Sequence, residues 1–468
     1  MAKKQLTIEE KLQAALVPVE EQPYKVPENW CWVRLGSVTT RIKRGKSPKY
    51  VDESDFPVFA QKCNQKDGTI ALDKARFLNP DMAMKLSEEE FLHENDVVIN
   101  STGTGTLGRV GFFREQDKLG YEKILPDSHV TVVRPSTIVE NFFLYLFLKG
   151  KQSFLELQGA GSTNQKELRP ATISELMLPL PPQGEQSRIV ARIESLFAKL
   201  DEAKEKIQEV LDGADLRRAA ILHQAFTGKL TEKWRRENGV SNESWEDKSI
   251  KEISIPRAGV AFDSKKFSTK GYQVIRMGNL YNGELDLSRN PVYYPREFLD
   301  NKILERALIH NDDILITLTG TKYKRDYGYA VKMVNPEKLL VNQRILCLTA
   351  IKEYVLSDYL NYYLQTKLFR DVFFSNETGG VNQGNVSSKF VESIVIKVPL
   401  VDEQQEIVRL LDNLLSREQS TVTACEEALT TIDTLKKSIL ARAFRGELGT
   451  NDPSDPSAKE LLREILSA

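Results

Sequence analysis

Cysteine, histidine and tryptophan are scarce in this 468-residue chain, four of each. The cysteines (Cys31, Cys63, Cys347, Cys425) stand singly, which excludes a disulfide framework or a Cys-x-x-Cys metal site. The histidines (His93, His129, His223, His310) are as dispersed, and His-Glu-x-x-His, zinc-spaced Cys/His clusters and Gly-x-Ser-x-Gly are missing. So are Asn-Pro-Pro-Tyr and Asp-Pro-Pro-Tyr, with which an amino-group DNA methyltransferase holds a flipped base. No catalytic residue and no metal ligand is assigned. No run of about 18 apolar residues occurs, and Met1-Ala-Lys-Lys-Gln5 leads into no apolar signal core, so a soluble, cytoplasmic protein with no membrane partner is expected. Neither charge sign is in excess: 65 Lys plus Arg against 66 Asp plus Glu exclude a uniformly basic coat but not local basic patches.

What is present is an ordinary globular balance, 41% hydrophobic and 28% charged, on a chain long enough for two to four domains. It is also written twice. Pro181-Pro-Gln-Gly-Glu-Gln-Ser-Arg-Ile-Val190 aligns with Pro399-Leu-Val-Asp-Glu-Gln-Gln-Glu-Ile-Val408, and without a gap Ile221-Leu-His-Gln-Ala-Phe-Thr-Gly-Lys-Leu230 meets Ile439-Leu-Ala-Arg-Ala-Phe-Arg-Gly-Glu-Leu448. Upstream, Gly161-Ser-Thr-Asn-Gln165 meets Gly379-Gly-Val-Asn-Gln383, Asp96-Val-Val-Ile-Asn-Ser-Thr-Gly-Thr104 meets Asp313-Ile-Leu-Ile-Thr-Leu-Thr-Gly-Thr321, and Glu28-Asn-Trp30 meets Glu243-Ser-Trp245. Ordered matches in nearly constant register make chance a poor explanation, and a period of half the chain is a duplication, not a solenoid.

The expected class is α+β and internally duplicated, each half a mixed strand-rich domain followed by a long helix. The boundaries are an N-terminal helix and linker (1–27), a first mixed domain (28–182), a central long helix (183–230), a junction (231–244), a second mixed domain (245–400), a C-terminal long helix (401–449), and a linker with a short terminal helix (450–468). Thr7-Ile-Glu-Glu10 reads as a capping box for the first helix. Ile189, Ile193, Leu196, Leu200, Ala203, Ile207, Val210 and Ala214 alternate steps of four and three, the apolar seam of a coiled coil. Ile407, Leu411, Leu414, Cys425, Ala428, Ile432, Leu435 and Ile439 continue the rule, interrupted at Glu418 and Thr421, where packing is expected to be looser or open to a partner. Helices of roughly 40 residues would run about 60 Å.

Gly103-Thr-Gly-Thr-Leu-Gly108 has the spacing of a dinucleotide or S-adenosylmethionine loop. Arg109-Val-Gly-Phe-Phe113 after it reads as a strand, so no helix N-terminus would meet a phosphate. Thr319-Gly-Thr-Lys-Tyr-Lys-Arg325 has lost the second and third glycines, and a turn between strands is expected. Gly45-Lys46-Ser47 mimics the end of a phosphate loop, but the required first glycine is Thr40 and Pro48 follows. Glu88-Glu-Glu90 reads as a solvated helix end rather than an acid/base pair.

Basic charge is concentrated in the mixed domains. Arg34, Arg41, Lys43, Arg44, Lys46 and Lys49 occur from Arg34 to Tyr50 without an acidic residue. The second half has Arg257, Lys265, Lys266, Lys270 and Arg276 in a similar region, and Lys322, Lys324 and Arg325 beside its glycine turn. On charge alone these are ordinary solvated loops. Two similar basic heads joined by a rigid helical pair, however, suit two sites at fixed separation on duplex DNA. The DNA-contact candidates are Arg41, Lys43, Arg44, Lys46, Lys49, Thr104, Arg109, Lys265, Lys266, Lys270, Lys322, Lys324 and Arg325.

Trp30-x-x-x-x-Leu35-Gly36, the Pro-Leu-Pro-Pro-x-x-Glu-Gln segment at 179–186, Ala225-Phe-Thr-Gly-Lys-Leu-Thr231 and Ala443-Phe-Arg-Gly-Glu-Leu448 resemble the specificity subunits of type I restriction-modification systems over nearly the whole chain. The resemblance implies two target-recognition domains, each reading half of a bipartite asymmetric sequence, with the long helices packed antiparallel as a spacer. It implies that adenine methylation with S-adenosylmethionine belongs to two modification subunits, that ATP- and Mg-dependent translocation and cleavage belong to two restriction subunits, and that this chain binds no cofactor itself. Phe226, Leu230, Phe444 and Leu448 are candidates for docking the modification subunits, or for packing within the chain's own helical pair. Two other readings stay open: a standalone bipartite DNA-binding regulator and a coiled-coil assembly scaffold. Removing the charge at Lys43, Arg44 and Lys46 separates them. A DNA reader should bind duplex more weakly with a smaller salt slope, and a scaffold should be unchanged.

Overall fold

Strands that alternate their side chains between two faces can seal two cores at once, and the central strands of this protein do so. The computed structural model describes residues 7–159, 167–281, 283–322, 324–380 and 382–467. The aligned stretch Gly161-Ser-Thr-Asn-Gln165 lies outside these residues, as do Val381 and Tyr323. The chain forms two units, Met1–Lys206 with Ala428–Ala468, and Ile207–Glu427. Each unit holds one mixed domain and takes part of both long helices.

In the first unit a four-stranded antiparallel sheet runs in the order Thr39–Arg44, Val130–Pro135, Val97–Asn100, Val110–Phe112. In the second the order is Ser254–Ala258, Ile345–Ala350, Ile314–Thr317, Ala330–Lys332, the same topology. Val97 and Ile99 face one core with Phe143, Leu144 and Phe147 of helix Asn141–Gly150. Val98 faces the other with Phe59 and Phe113. Ile314 and Ile316 against Leu315 repeat the division. Beside each main sheet lies a smaller one containing a parallel pair, Pro57–Phe59 with Leu125–Pro126 and Tyr272–Ile275 with Leu339–Val341.

The turn into each central strand also recurs. Asn95 and Asp312 take positive φ (66° and 67°), and the buried carboxylates of Asp96 and Asp313 accept from the backbone N–H groups of His93 and His310, both at 2.8 Å. The counter-charge comes from different strands. Arg134 Nε donates to Asp96 at 2.7 Å, whereas Asp313 is paired with Arg257, and Thr349 fills the place of Arg134, donating its hydroxyl at 2.5 Å.

The long helices start on a repeated buried pair. Glu185-Gln186 and Glu403-Gln404 are fully buried. Gln186 Nε2 donates to the carbonyls of Ile138 and Pro181, and its Oε1 accepts from Glu140 N at 2.8 Å. Gln404 bonds in the same way to the carbonyls of Tyr354 and Pro399 and to Leu356 N. Trp30 Nε1 donates to Glu185 at 2.6 Å and Trp245 Nε1 to Glu403 at 3.0 Å. Thr450 and Asn451 complete the donors to Glu185, while Thr231 and Arg235 complete those to Glu403.

Within each unit the helices pack antiparallel. In the first, Lys436 pairs with Asp201 and Arg188 reaches the Thr450 carbonyl. In the second, Arg217 pairs with Glu418 at 2.7 Å and Arg235 with Glu403. Glu418 is thus met from within the chain, whereas Thr421, the other interruption of the seam, is exposed. The central helix expected over 183–230 is two pieces, Gln183–Asp212 and Ala214–Phe226, because Arg217 lies across Gly213 and donates to the Val210 carbonyl. The C-terminal helix expected over 401–449 is Val401–Ala443. At both ends the phenylalanine leaves the seam for the mixed domain: Phe444 sits on Phe143 and Phe147 (centroids 5.2 and 5.3 Å), Phe226 on Tyr359 and Tyr363 (5.2 and 5.3 Å). Leu230 and Leu448 are partly buried against the same cores.

The capping box forms, with helix Ile8–Ala15 packed through Leu12 and Ala15 on Ala458 and Leu462 of helix Ala458–Ser467. The segment that follows covers an edge: Leu16 bridges Val33, and Val17 N donates to the Trp32 carbonyl on the apolar strand Cys31–Arg34. The equivalent strand Glu246–Ser249 carries Glu246, Asp247 and Lys248, charges that protect an edge without a cover. Phe226→Ala or Phe444→Ala should each cost about 3–5 kcal/mol, read as a lowered Tm of the full chain; exposed docking anchors would leave Tm unchanged.

Candidate nucleic-acid interface

At one end of each main sheet three segments converge. In the second unit they are the turn at 342–344, the Thr319–Gly320 strand, and Gly384–Asn385 paired antiparallel with it. Leu318 N donates to the Arg344 carbonyl at 2.9 Å and Val386 N to the Leu318 carbonyl at 2.9 Å. In the first unit Ser101 N donates to the His129 carbonyl, Leu168 N to the Ser101 carbonyl, and Thr102 bridges Glu167. Gly45 and Gly259 hold equivalent places beside these turns: a Cβ on either would stand 2.0 Å or less from the carbonyl oxygen of Pro126 or Asn342. The glycine of Gly45-Lys46-Ser47 therefore serves a close backbone approach.

The second-unit corner encloses a cleft of about 510 Å³ whose polar lining includes Thr319, Gln343, Arg344, Gln383 and Asn385. Thr319 Oγ1 donates to Asn385 Oδ1 at 2.9 Å. Half-buried Arg370 braces the neighbouring loop by donating to the carbonyls of Arg325, Tyr327 and Gly328, and burial pulls its pKa below the usual guanidinium range. In the first unit Thr102 Oγ1 and His129 Nδ1 are 2.7 Å apart, and Asp127, its pKa raised by burial, accepts from His129 N. Asn342 occupies the Asp127 position without a charge.

Gly103–Gly108 is a turn followed by strand Val110–Phe112, as expected. The second copy keeps the third glycine after all, three residues further on. Gly108 N donates to the Asn100 carbonyl and Gly328 N to the equivalent Thr317 carbonyl, both with positive φ, and each packs against a helix with no room for a Cβ.

The basic candidates separate into three groups. Arg41 is 7% exposed, donates to the Glu89 carbonyl and faces Glu90, so the sheet holds it away from any ligand. Arg44 pairs with Glu167 at 2.6 Å and donates to the Leu168 carbonyl; Arg109 braces the glycine turn through the Gly105 carbonyl; Lys322 donates to the Gly379 carbonyl. Glu88-Glu-Glu90 is a short 3₁₀ turn that neutralises this neighbourhood, pairing with Lys123, Arg134, Arg41 and Lys46. Lys43, Lys49, Thr104, Lys265, Lys270, Lys324 and Arg325 are exposed. Lys266 lies over the Phe298 ring at 4.6 Å, and the 265–270 loop belongs to the edge of the smaller sheet through the Ser268–Tyr293 bridge. The docking candidates Phe226 and Phe444 are buried, and Leu230 and Leu448 partly so; none is an open anchor. Charge runs gave no hint of Gln343, Asn385 or His129. Their signal is positional, at the repeated turns. Among the described residues no cluster of His, Cys, Asp and Glu suits a metal, and no helix is long and apolar enough to cross a membrane.

A family model described as the type I restriction modification DNA specificity domain matches twice, over residues 27–212 and 242–427. The EcoKI type I restriction enzyme specificity subunit of Escherichia coli K12 is 25% identical over 441 residues, covering 91% of this chain and 90% of that protein. The MjaVIII specificity subunit of Methanocaldococcus jannaschii is 24% identical, with coverage of 91% and 94%. Among solved structures, the HsdS subunit from Thermoanaerobacter tengcongensis matches with a TM-score of 0.60 at 18% identity, covering 92% of this chain and all of that one. A chain from a study of complex assembly and conformational transition of the type I R-M system matches at 0.65 and 18% identity, covering 91% of this chain and all of that one. At such identities the structural matches establish the fold.

If the exposed lysines touch phosphates, Lys43→Ala with Lys49→Ala lowers the slope of log affinity against log salt by about 1.8, roughly 0.9 per lost contact. Arg41→Ala should leave the slope alone and lower Tm, measured on the same preparations.

Proposed function

The chain belongs to the type I restriction-modification specificity-subunit family, and from that premise we propose that its two domain copies each read one half of a bipartite, asymmetric DNA target. The observation that carries this reading is one scaffold built twice, each copy presenting a different set of polar side chains at the same corner. The antiparallel helical pair sets the number of unspecified base pairs between the halves. The chain performs no chemistry and binds no cofactor. Two modification subunits supply adenine methylation with S-adenosylmethionine, and two restriction subunits supply ATP- and Mg-dependent translocation and cleavage. Acting on DNA beside these partners, it works in the cytoplasm. With Phe226 and Phe444 committed to the chain's own cores, docking falls to outward helix faces, where Leu216 (76% exposed) and Leu435 (44%) leave apolar surface uncovered.

Sequencing adenine methylation in cells carrying the chain with its modification partner, and in cells lacking either, tests this. The expected result is a split motif methylated only when both are present. Tight binding to a split site by the chain alone, with no chain-dependent methylation, would instead identify a standalone regulator.

A further inference from the structure

Where two copies of one scaffold share the same backbone bonds, residues that hold the scaffold recur and residues that face a ligand are free to differ. The corner described above meets this test sharply. Gly45 N donates to the Val130 carbonyl at 3.0 Å and Gly259 N to the Ile345 carbonyl at 3.1 Å; the Ser101-to-His129 bond recurs as Leu318-to-Arg344. Yet the turn carries Ser128-His129 in one copy and Gln343-Arg344 in the other, and the segment bridged to Thr102 or Thr319 carries Glu167 in one and Asn385 in the other.

Gln343 and Arg344 are exposed, and neither side chain has a hydrogen-bond or ion-pair partner among the described residues. Their main chain is fixed at both ends, since Gln343 N donates to the Val260 carbonyl at 3.0 Å and the Arg344 carbonyl accepts from Leu318 N. Free heads on a pinned turn reach a ligand without ordering the backbone first. The lining of their cleft includes Thr319, Gln383 and Asn385, while the carboxylates of Asp326 and Glu377, beside Gly320 and Gly384, are taken up by Thr321 N and the Tyr327 hydroxyl.

We propose that this turn is the base-reading corner of each copy, with Gln343 and Arg344 determining specificity in the second half-site and His129 in the first. The inference rests on the DNA-reading function proposed above. An arginine fork matches guanine O6 and N7, and a glutamine amide matches adenine N7 and N6. His129 offers a single ring edge held by Thr102, so the two copies select different bases on the same frame.

The test uses the full chain with its modification partner in cells without other adenine methylation, reading the methylated motif for the unaltered chain, Gln343→Ala, Arg344→Ala and His129→Ala. Gln343→Ala and Arg344→Ala should relax one or two adjacent base pairs in one half of the motif, discrimination there falling about 5- to 150-fold, with the other half and the spacing unchanged. His129→Ala should relax the opposite half only. Variant motifs identical to the unaltered one overturn the proposal while leaving the subunit's function standing. For a variant that abolishes methylation, the assembled complex is competed against duplexes each carrying one base-pair change. Relaxation at one or two positions supports the proposal, and uniform loss across all duplexes overturns it. An unaltered chain that yields no split motif overturns the function and this inference together.

Discussion

The structure depends on two buried Glu-Gln pairs at the starts of its long helices. Each glutamine amide ties the helix to the chain that enters it and to the loop before the next domain helix. Each carboxylate takes an N–H from the tryptophan just before the first strand of its own domain. A buried carboxylate with a donor removed costs several kcal/mol, so each pair works as an all-or-none bolt between reading domain and helix. Packing alone would allow sliding along an apolar seam. Directional bonds fix a single register.

The two bolts are completed by different parts of the chain. Glu403 is closed by Thr231 and Arg235 from the junction between the halves, whereas Glu185 draws on Trp30 near one end of the chain and on Thr450 and Asn451 near the other. The terminal helices clasp each other beside that second set through Leu12, Ala15, Ala458 and Leu462. A duplicated chain thereby gives its two domains equivalent settings although only one is interrupted by the termini. A further asymmetry lies at a strand edge, which one copy covers with Leu16 and Val17 and the other protects with charge.

Electrostatics sorts the basic residues by what they meet. Arg41, Arg44, Arg109 and Lys322 are held by nearby carboxylates or carbonyls and stiffen turns, so that under the proposed reading the exposed lysines meet phosphates and the polar corner side chains, Arg344 among them, meet base edges. That division agrees with how duplexes are read: backbone charge positions a protein and base-edge hydrogen bonds choose the sequence.

Sequence alone determined the duplication, the α+β class and the family, because gapless repeats are properties of linear order; heptad spacing marked the helix seams only in part, since Val210 and Leu435, which it places in them, are exposed. It also determined that Gly103–Gly108 is a turn, since a strand follows it. Tertiary structure decided everything that depends on which groups meet. It turned Phe226 and Phe444 inward onto aromatic pairs, matched Glu418 with Arg217, broke the central helix at Gly213, and found the missing third glycine at Gly328. It also withdrew Arg41 from the surface and brought Gln343 and Arg344 to a cleft with Asn385. A charge or an aromatic ring in a sequence is only a capacity for contact. Which partner satisfies it is settled by strand register and side-chain packing, and those join residues that linear spacing never places side by side.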